Sequence, residues 1–305
     1  MKIKTKIALI NVFFGQLPDY FDLWVKSCRY NDIDFFVFTD SYIHCDLPKN
    51  VTVIKLTLAD FVERLNSKLD LALQAIQPYK ICDYRPAFGV IFNDYLESYD
   101  FWGHCDIDLV FGDIRKFITE DILERFDCIL HRGHLILYRN TKKVNRYYQL
   151  PHPNVNYLDV FTQQSNFKFD EWNGMYLLLK HHNIPVYHDE FIAETDPQCL
   201  RFHCSNIPNY SRQVFYWEDG RVFQAFEKNN EIKYREVAYI HFLKRNLIKQ
   251  DDIAGSFYCT PCGFFSKSSG VPTLLDLRKY NSRNFSHVLS YSYRRISQKI
   301  KSFVA

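Results

Sequence analysis

The chain has 305 residues, 47% of them hydrophobic and 17% aromatic, and a formal net charge of +3. That is apolar material for one large domain or two small ones, but no run of about 18 apolar residues offers a membrane-crossing helix. The charge is unevenly placed: residues 278–305 hold seven Lys and Arg and no acid, leaving 31 basic against 35 acidic residues elsewhere. No nucleic-acid partner is expected of such a body.

The opening, Met1-Lys-Ile-Lys-Thr-Lys-Ile-Ala-Leu-Ile10, starts like a secretion signal. Its apolar run is short and lacks a small-residue cleavage site, so a first strand over Lys6–Phe13 is predicted instead. Gly15 and Pro18 end that strand, and Asp19–Cys28 carries helical spacing. Ile33–Phe38 and Val51–Leu56 read as further strands. Thr57-Leu-Ala-Asp60 starts a helix whose apolar positions Phe61, Leu65, Leu69, Leu73 and Ile76 recur every three or four residues. Phe88, Ile91, Phe92, Tyr95 and Leu96 mark another. Strands alternating with helices imply a largely parallel sheet flanked by helices, with ligands at the carboxyl ends of the strands. Gly15, Asp40 and the Asp106 region each follow a predicted strand and should share one edge.

Asp127–Leu130 and His134–Tyr138 read as short strands, and Asp170–Lys180 as a helix. Gln213–Trp217 and Arg221–Phe226 flank a good hairpin turn, Glu218-Asp-Gly220. Val237–Phe242 is the last predicted strand, and beyond about residue 250 the chain reads as irregular. The expected division is a domain over 1–250 and an irregular, basic tail over 251–305. Leu289, Tyr293, Ile296, Ile300 and Phe303 have helical spacing, with Arg294, Arg295, Lys299 and Lys301 elsewhere around the wheel. Such a helix either rests on an anionic membrane surface or packs on the domain. The nine scattered cysteines predict reduced thiols and a cytoplasmic setting, and Cys259-Thr-Pro-Cys262 alone lacks the second pair a structural zinc needs.

The richest stretch is Asp100–Asp113, where Asp106 and Asp108 stand one residue apart after an aromatic run. Two such carboxylates can share Mn2+ or Mg2+, which take few protein ligands and leave room for substrate phosphates. His241, at a predicted strand end, can complete a Mn2+ site, and Lys244 can neutralise a leaving diphosphate. In Lys80-Ile-Cys-Asp83-Tyr-Arg85-Pro86, Asp83 is a candidate for ribose hydroxyls and Lys80 or Arg85 for phosphate; helix capping with a surface ion pair is the plainer alternative. In Phe169-Asp-Glu-Trp-Asn-Gly174, Asp170 or Glu171 could take a hydroxyl proton while Trp172 stacks on a sugar ring, or the acids simply favour a helix start. His134, in His131-Arg-Gly-His134, is a further acceptor candidate.

Together these residues resemble nucleotide-sugar glycosyltransferases of the GT-A fold. More closely, the chain resembles a family of bacterial proteins from polysaccharide gene clusters, catalogued as a domain of unknown function (6625) and regarded as glycosyltransferases. The phrases carrying the likeness include Phe14-Gly-Gln-Leu-Pro18, Pro78-Tyr-Lys-Ile-Cys-Asp83, Arg85-Pro-Ala-Phe-Gly89, Tyr99-Asp-Phe-Trp-Gly-His-Cys-Asp-Ile-Asp108 and Ile240-His-Phe-Leu-Lys244, across about the first 245 residues. The resemblance implies a GT-A-like α/β domain, a UDP-sugar or similar donor, and Mn2+ at Asp106 and Asp108 with His241 as third ligand. It also implies a glycan or lipid-linked acceptor in capsule, O-antigen or lipopolysaccharide synthesis. Gly15 would allow close backbone approach to the nucleotide, Asp40 and Asp83 would contact base or ribose, and Arg85 and Lys244 the diphosphate. Two rival readings remain. One is a phosphatase of the haloacid dehalogenase class, whose DxDx(T/V) pattern Asp106–Val110 satisfies, although that class sets the motif on its first strand. The other is a non-enzymatic module that binds sugar or membrane.

Overall fold

The computed structural model describes residues 4–243, 247–268 and 270–304. The chain forms two compact units that interleave along the sequence. The first holds residues up to Leu17, Asp32–Ile107 and Ile118–Asp189; the second holds Pro18–Asn31, Asp108–Phe117 and the chain from Glu190 onward. Residues 251–305 therefore fold with residues 190–250, and not as the separate tail that composition suggested.

The strands run in chain order as β1 (Ile7–Phe13), β2 (Asp34–Thr39), β3 (Val51–Lys55), β4 (Phe101–Cys105), β5 (Leu109–Phe111), β6 (Cys128–Ile129), β7 (Leu135–Arg139) and β8 (Val186–Tyr187). All but β5 form the first unit's seven-stranded sheet, ordered β3-β2-β1-β4-β7-β6-β8. The β1, β2, β3 and β4 pairings are parallel, while β7 runs antiparallel to both β4 and β6. This mixed, mostly parallel sheet accounts for the mainly apolar runs: Ile7–Val12, with Asn11, and Phe101–Cys105, with His104, are buried throughout, as strands covered on both faces must be. The helix Leu58–Leu69 starts on a capping box in which Thr57 and Asp60 bond reciprocally. It stops earlier than the periodicity predicts, because Asp70 turns into the left-handed region at φ 53°. Ile76 still reaches the same core, but from a loop. Phe88–Ile91 and Asn93–Leu96 form two short helices where one was predicted, and Phe92 stacks on Phe38 with centroids 4.3 Å apart.

In the second unit β9 (Ile192–Glu194), β10 (Gln213–Glu218), β11 (Arg221–Lys228), β12 (Glu231–Val237), β13 (Tyr239–His241), β14 (Ile248–Lys249), β15 (Phe257–Cys259) and β16 (Gly263–Ser266) follow. A six-stranded sheet takes the order β12-β11-β10-β15-β16-β14, and β5-β13-β9 form a three-stranded one. The predicted hairpin joins β10 and β11, with Asp219 and Gly220 both at positive φ as a two-residue type I′ turn requires. The region past residue 250, expected to be irregular, instead supplies β15 and β16, and Cys259-Thr-Pro-Cys262 is the tight connection between them. Helices Leu274–Lys279 and Phe285–Val304 complete the unit. Three of the four tryptophans, Trp24, Trp102 and Trp217, are fully buried, so most of the aromatic excess is core; Trp172 is 46% exposed.

Candidate functional site

Because β1, β2 and β4 are parallel neighbours, the residues after them emerge at one edge of the first unit's sheet. The Gly15 amide donates to Asp40 Oδ1 at 2.9 Å, tying the loop after β1 to that after β2. Gly15 has φ +93°, and a Cβ there would meet nothing within 4 Å. The backbone conformation, not crowding, makes glycine the fitting residue. Asp106 leaves β4 with its amide bonded to the His134 carbonyl at 2.9 Å.

Arg85 organises this edge. It follows the helical turn Ile81–Tyr84 and opens a short 3-10 turn with Pro86 next to it. One arm of its guanidinium, Nη2, donates to Asp106 Oδ1 at 2.5 Å. The other, Nη1, donates to Asp170 Oδ2 at 2.9 Å and to the Gly133 carbonyl at 3.3 Å. A planar fork with several fixed donors suits such a double grip. Asp170 is only 2% exposed, and its Oδ1 finds no hydrogen-bond donor among the described residues. Burial pushes the Asp170 carboxyl up to about 7 against the pull of Arg85, with Asp106 and Glu171 adding to the rise. Burial alone would lower Arg85, but Asp106 and the other acids around it hold it well above its ordinary value.

Asp170, Glu171 and Trp172 do not begin a helix. The helix is Met175–His181, and the acids lie in the turn before it. Gly174 sets the late start: a Cβ there would sit 2.2 Å from the Phe169 carbonyl oxygen. Facing this turn, Gly133 adopts φ +81°, and a Cβ on it would come within 2.8 Å of Glu171 Cγ. Next to Gly133, His131 is buried with its ring stacked on Tyr176 at 4.7 Å, its neighbour Trp172 edge-on at 4.4 Å and His188 edge-on at 5.0 Å. Neither ring nitrogen of His131 has a hydrogen-bond partner among the described residues. Burial first, then His188 and Arg132, lower its pKa to about 4. The sequence pointed to Trp172 and the run His131-Arg-Gly-His134, from which His134 was selected, but not to Tyr176 or His188, which complete the rings around His131.

Lys80 and Asp83 are placed otherwise than expected. Both are buried, 1% and 0% exposed, and pair at 2.8 Å. Lys80 Nζ also donates to the carbonyls of Val160 and Ser165, and Asp83 accepts from the amides of Phe167 and Phe169. Their hydrogen-bonding capacity is used inside the protein, so they brace the 160–169 loop and leave no donor for phosphate or acceptor for ribose.

In the second unit, β13 runs between β5 and β9, and its register sets His241 beside Leu109 on one strand and Glu194 on the other. Asp108 immediately precedes β5, and its carbonyl accepts the Phe242 amide at 3.1 Å. His241 Nε2 consequently lies 3.5 Å from Asp108 Oδ1, and its Nδ1 lies 4.0 Å from Glu194 Oε1. The His241 carbonyl accepts from Thr195 Oγ1 at 2.9 Å, fixing the strand behind the ring. Of the four residues expected in one metal-and-phosphate site, Asp106, Asp108, His241 and Lys244, this pairing sets Asp108 and His241 side by side. Glu194 was missed because only the parallel pairing of β9 with β13 brings it there. Asp106 stands two positions before Asp108, in the first unit, and Lys244 lies outside the described residues. Cys259 and Cys262 belong to no group of potential metal ligands among the described residues.

The fold and these clusters define an α/β protein with a mostly parallel seven-stranded sheet and charged side chains at the carboxyl ends of its parallel strands. The chain belongs to a family of unknown function, DUF6625, whose model matches residues 9–268. The match runs past residue 245, where the recognisable phrases stop, and takes in the β15–β16 hairpin. No curated protein matches the chain. No helix among the described residues is long and apolar enough to cross a membrane.

Proposed function

We propose that the chain is a metal-dependent glycosyltransferase on a GT-A-like framework. It would move a sugar from a nucleotide-sugar, UDP-linked in the first instance, to a glycan or lipid-linked glycan in bacterial surface polysaccharide synthesis. The observation that carries this reading is the pairing of Asp108 with His241 from distant parts of the chain. Two ligand atoms each about 2.1 Å from one ion lie roughly 3–3.5 Å apart, and Nε2 and Oδ1 are separated by 3.5 Å. Glu194 lies on the other side of the ring, at Nδ1, where a carboxylate can orient the imidazole so that Nε2 faces the ion; a carboxylate and imidazole set suits Mn2+ or Mg2+. Asp106, two positions before Asp108 in sequence, is the proposed further ligand. Such a cation, when bound, would offset charge on the diphosphate as the sugar leaves.

The chain's own groups have separable tasks. Arg85 fixes the carboxylate of Asp106 and, as a cation at the strand ends, is suited to diphosphate. Gly15 and Asp40 offer a close backbone approach and an exposed carboxylate for the nucleoside. Trp172 presents a flat apolar face to an acceptor sugar, backed by His131 and Tyr176. Glu171, more than a third exposed, is the group placed to receive a hydroxyl proton if the anomeric centre inverts. Asp170, nearly fully buried, is better suited to holding Arg85.

The test is calorimetric titration of UDP with and without Mn2+. Binding that requires the metal, and that Asp108→Ala and His241→Ala each abolish without altering the circular dichroism spectrum, would support the reading. Failure of UDP, GDP and CDP alike would remove it, and hydrolysis of a simple phosphate ester without nucleotide would favour the phosphatase.

A further inference from the structure

The helix Phe285–Val304 closes the second unit, and its first turns are firmly seated. Asn284 donates through Nδ2 to the Pro261 carbonyl and through its amide to the Leu200 carbonyl. His287 is 2% exposed, and its Nε2 lies 3.0 Å from the Pro197 carbonyl oxygen. The opposite side is open. Phe285, Leu289, Tyr293 and Ile296 are 57%, 71%, 73% and 58% exposed. At 3.6 residues per turn these four positions fall within an arc of about 80°, and Asn284 and His287 fall outside it. A soluble helix usually turns its apolar stripe toward the core; this one turns a second apolar stripe away from it.

The sequence indicates what covers that stripe. Residues 278–305 carry Arg278, Lys279, Arg283, Arg294, Arg295, Lys299 and Lys301 and no acid, and Arg278, Lys279 and Arg283 are exposed. A second copy of the same segment would bring like charge toward like charge, with no acid in either segment to offset it. An anionic bilayer surface complements the charge and accepts aromatic and aliphatic side chains at its interface. We propose that the helix Phe285–Val304 is a docking element that lies on an anionic membrane surface with Phe285, Leu289, Tyr293 and Ile296 inserted. The helix is not apolar enough to cross. The proposal does not depend on the transferase reading.

The full-length protein would be sedimented with vesicles of phosphatidylcholine and phosphatidylglycerol at 3:1, and with phosphatidylcholine alone. The expected result is at least tenfold stronger partition onto the anionic vesicles, weakened by 0.5 M salt as about an 8–10 Å screening length at physiological ionic strength shortens further. Leu289→Ser with Ile296→Ser should lower partition at least tenfold while the melting temperature stays put, because both side chains are already in water. Leu289→Trp should raise it. Equal partition onto both vesicle types, or equal partition of the serine variant and the natural chain, would overturn the proposal. So would a concentration-dependent dimer that the serine variant loses, since the stripe would then belong to a second copy.

Discussion

Lys80-Asp83 and Arg85-Asp106 begin within six residues of each other and look interchangeable in the sequence, yet they do different work. Lys80 and Asp83 are both sealed from solvent, and each has backbone partners besides the other. Arg85 grips two carboxylates, one of them a quarter exposed and the other left with a bare oxygen. A buried pair whose capacity is used up is scaffold. A cation held at a sheet edge by one partly exposed carboxylate and one with a bare oxygen is the one proposed to meet a ligand. The difference lies in where the partners come from, not in the residue types.

The comparison can be broken by removing each cation. Lys80→Met strands Asp83 in the interior, and loss of one member of a buried pair costs about 3–5 kcal/mol; chemical denaturation should show this as the largest destabilisation at either place. Next comes the pH dependence of stability. The folded state holds a proton on Asp170 more tightly than the unfolded chain does, since its carboxyl is raised from 3.8 to about 7. Its contribution is therefore fully present below about pH 4 and is lost as pH rises toward 7. At about 1.36 kcal/mol per pKa unit the loss reaches at most roughly 4 kcal/mol. Asp170→Asn should flatten that part of the profile; an unchanged slope would show that Asp170 does not titrate there.

A smaller stability effect is expected of Arg85→Ala, about 2 kcal/mol, because it removes charge-assisted hydrogen bonds while Asp106 can turn to water and Asp170, already raised to about 7, can take up a proton. Its larger expression should be at least a tenfold loss of metal-dependent nucleotide affinity, which Lys80 variants that remain folded should not show. Least of all, Trp172→Ala should change stability by about 1 kcal/mol, since the indole is half exposed and loses its edge contacts with His131 and Tyr176. A several-fold rise in KM for acceptor, with donor affinity unaltered, would locate the acceptor at that face.

Much of the first unit was legible because local patterns and tertiary demands agree there. Ile7–Phe13 is apolar because it is covered on both faces, and Thr57 with Asp60 announces the helix they cap. In the second unit, the hairpin at Asp219-Gly220 likewise follows from turn chemistry. The failures are tertiary. Gly174 delays a helix because Phe169 folds back against it, which no spacing of Asp170 and Glu171 reveals. Asp70 ends a helix whose apolar repeat continues to Ile76. β15 and β16 are too short to show alternation, and they exist as strands because β10 and β14 pair with them. Of the site, Asp106, Asp108, Arg85 and His241 stood out as residues that bear chemistry. Glu194 and the rings around Trp172 did not, since their relevance comes from parallel pairing and from a turn that brings His131 under the indole.

Gly133 carries no functional group, yet three constraints meet on it. Its backbone is left-handed, its carbonyl accepts from Arg85, and its missing side chain is the space against which Glu171 lies. A replacement would strain the left-handed backbone and press on Glu171. In a saturation library selected for activity, position 133 should tolerate as little variation as Asp106 or Asp108, and a hydrogen atom would rank among the least replaceable side chains of the protein.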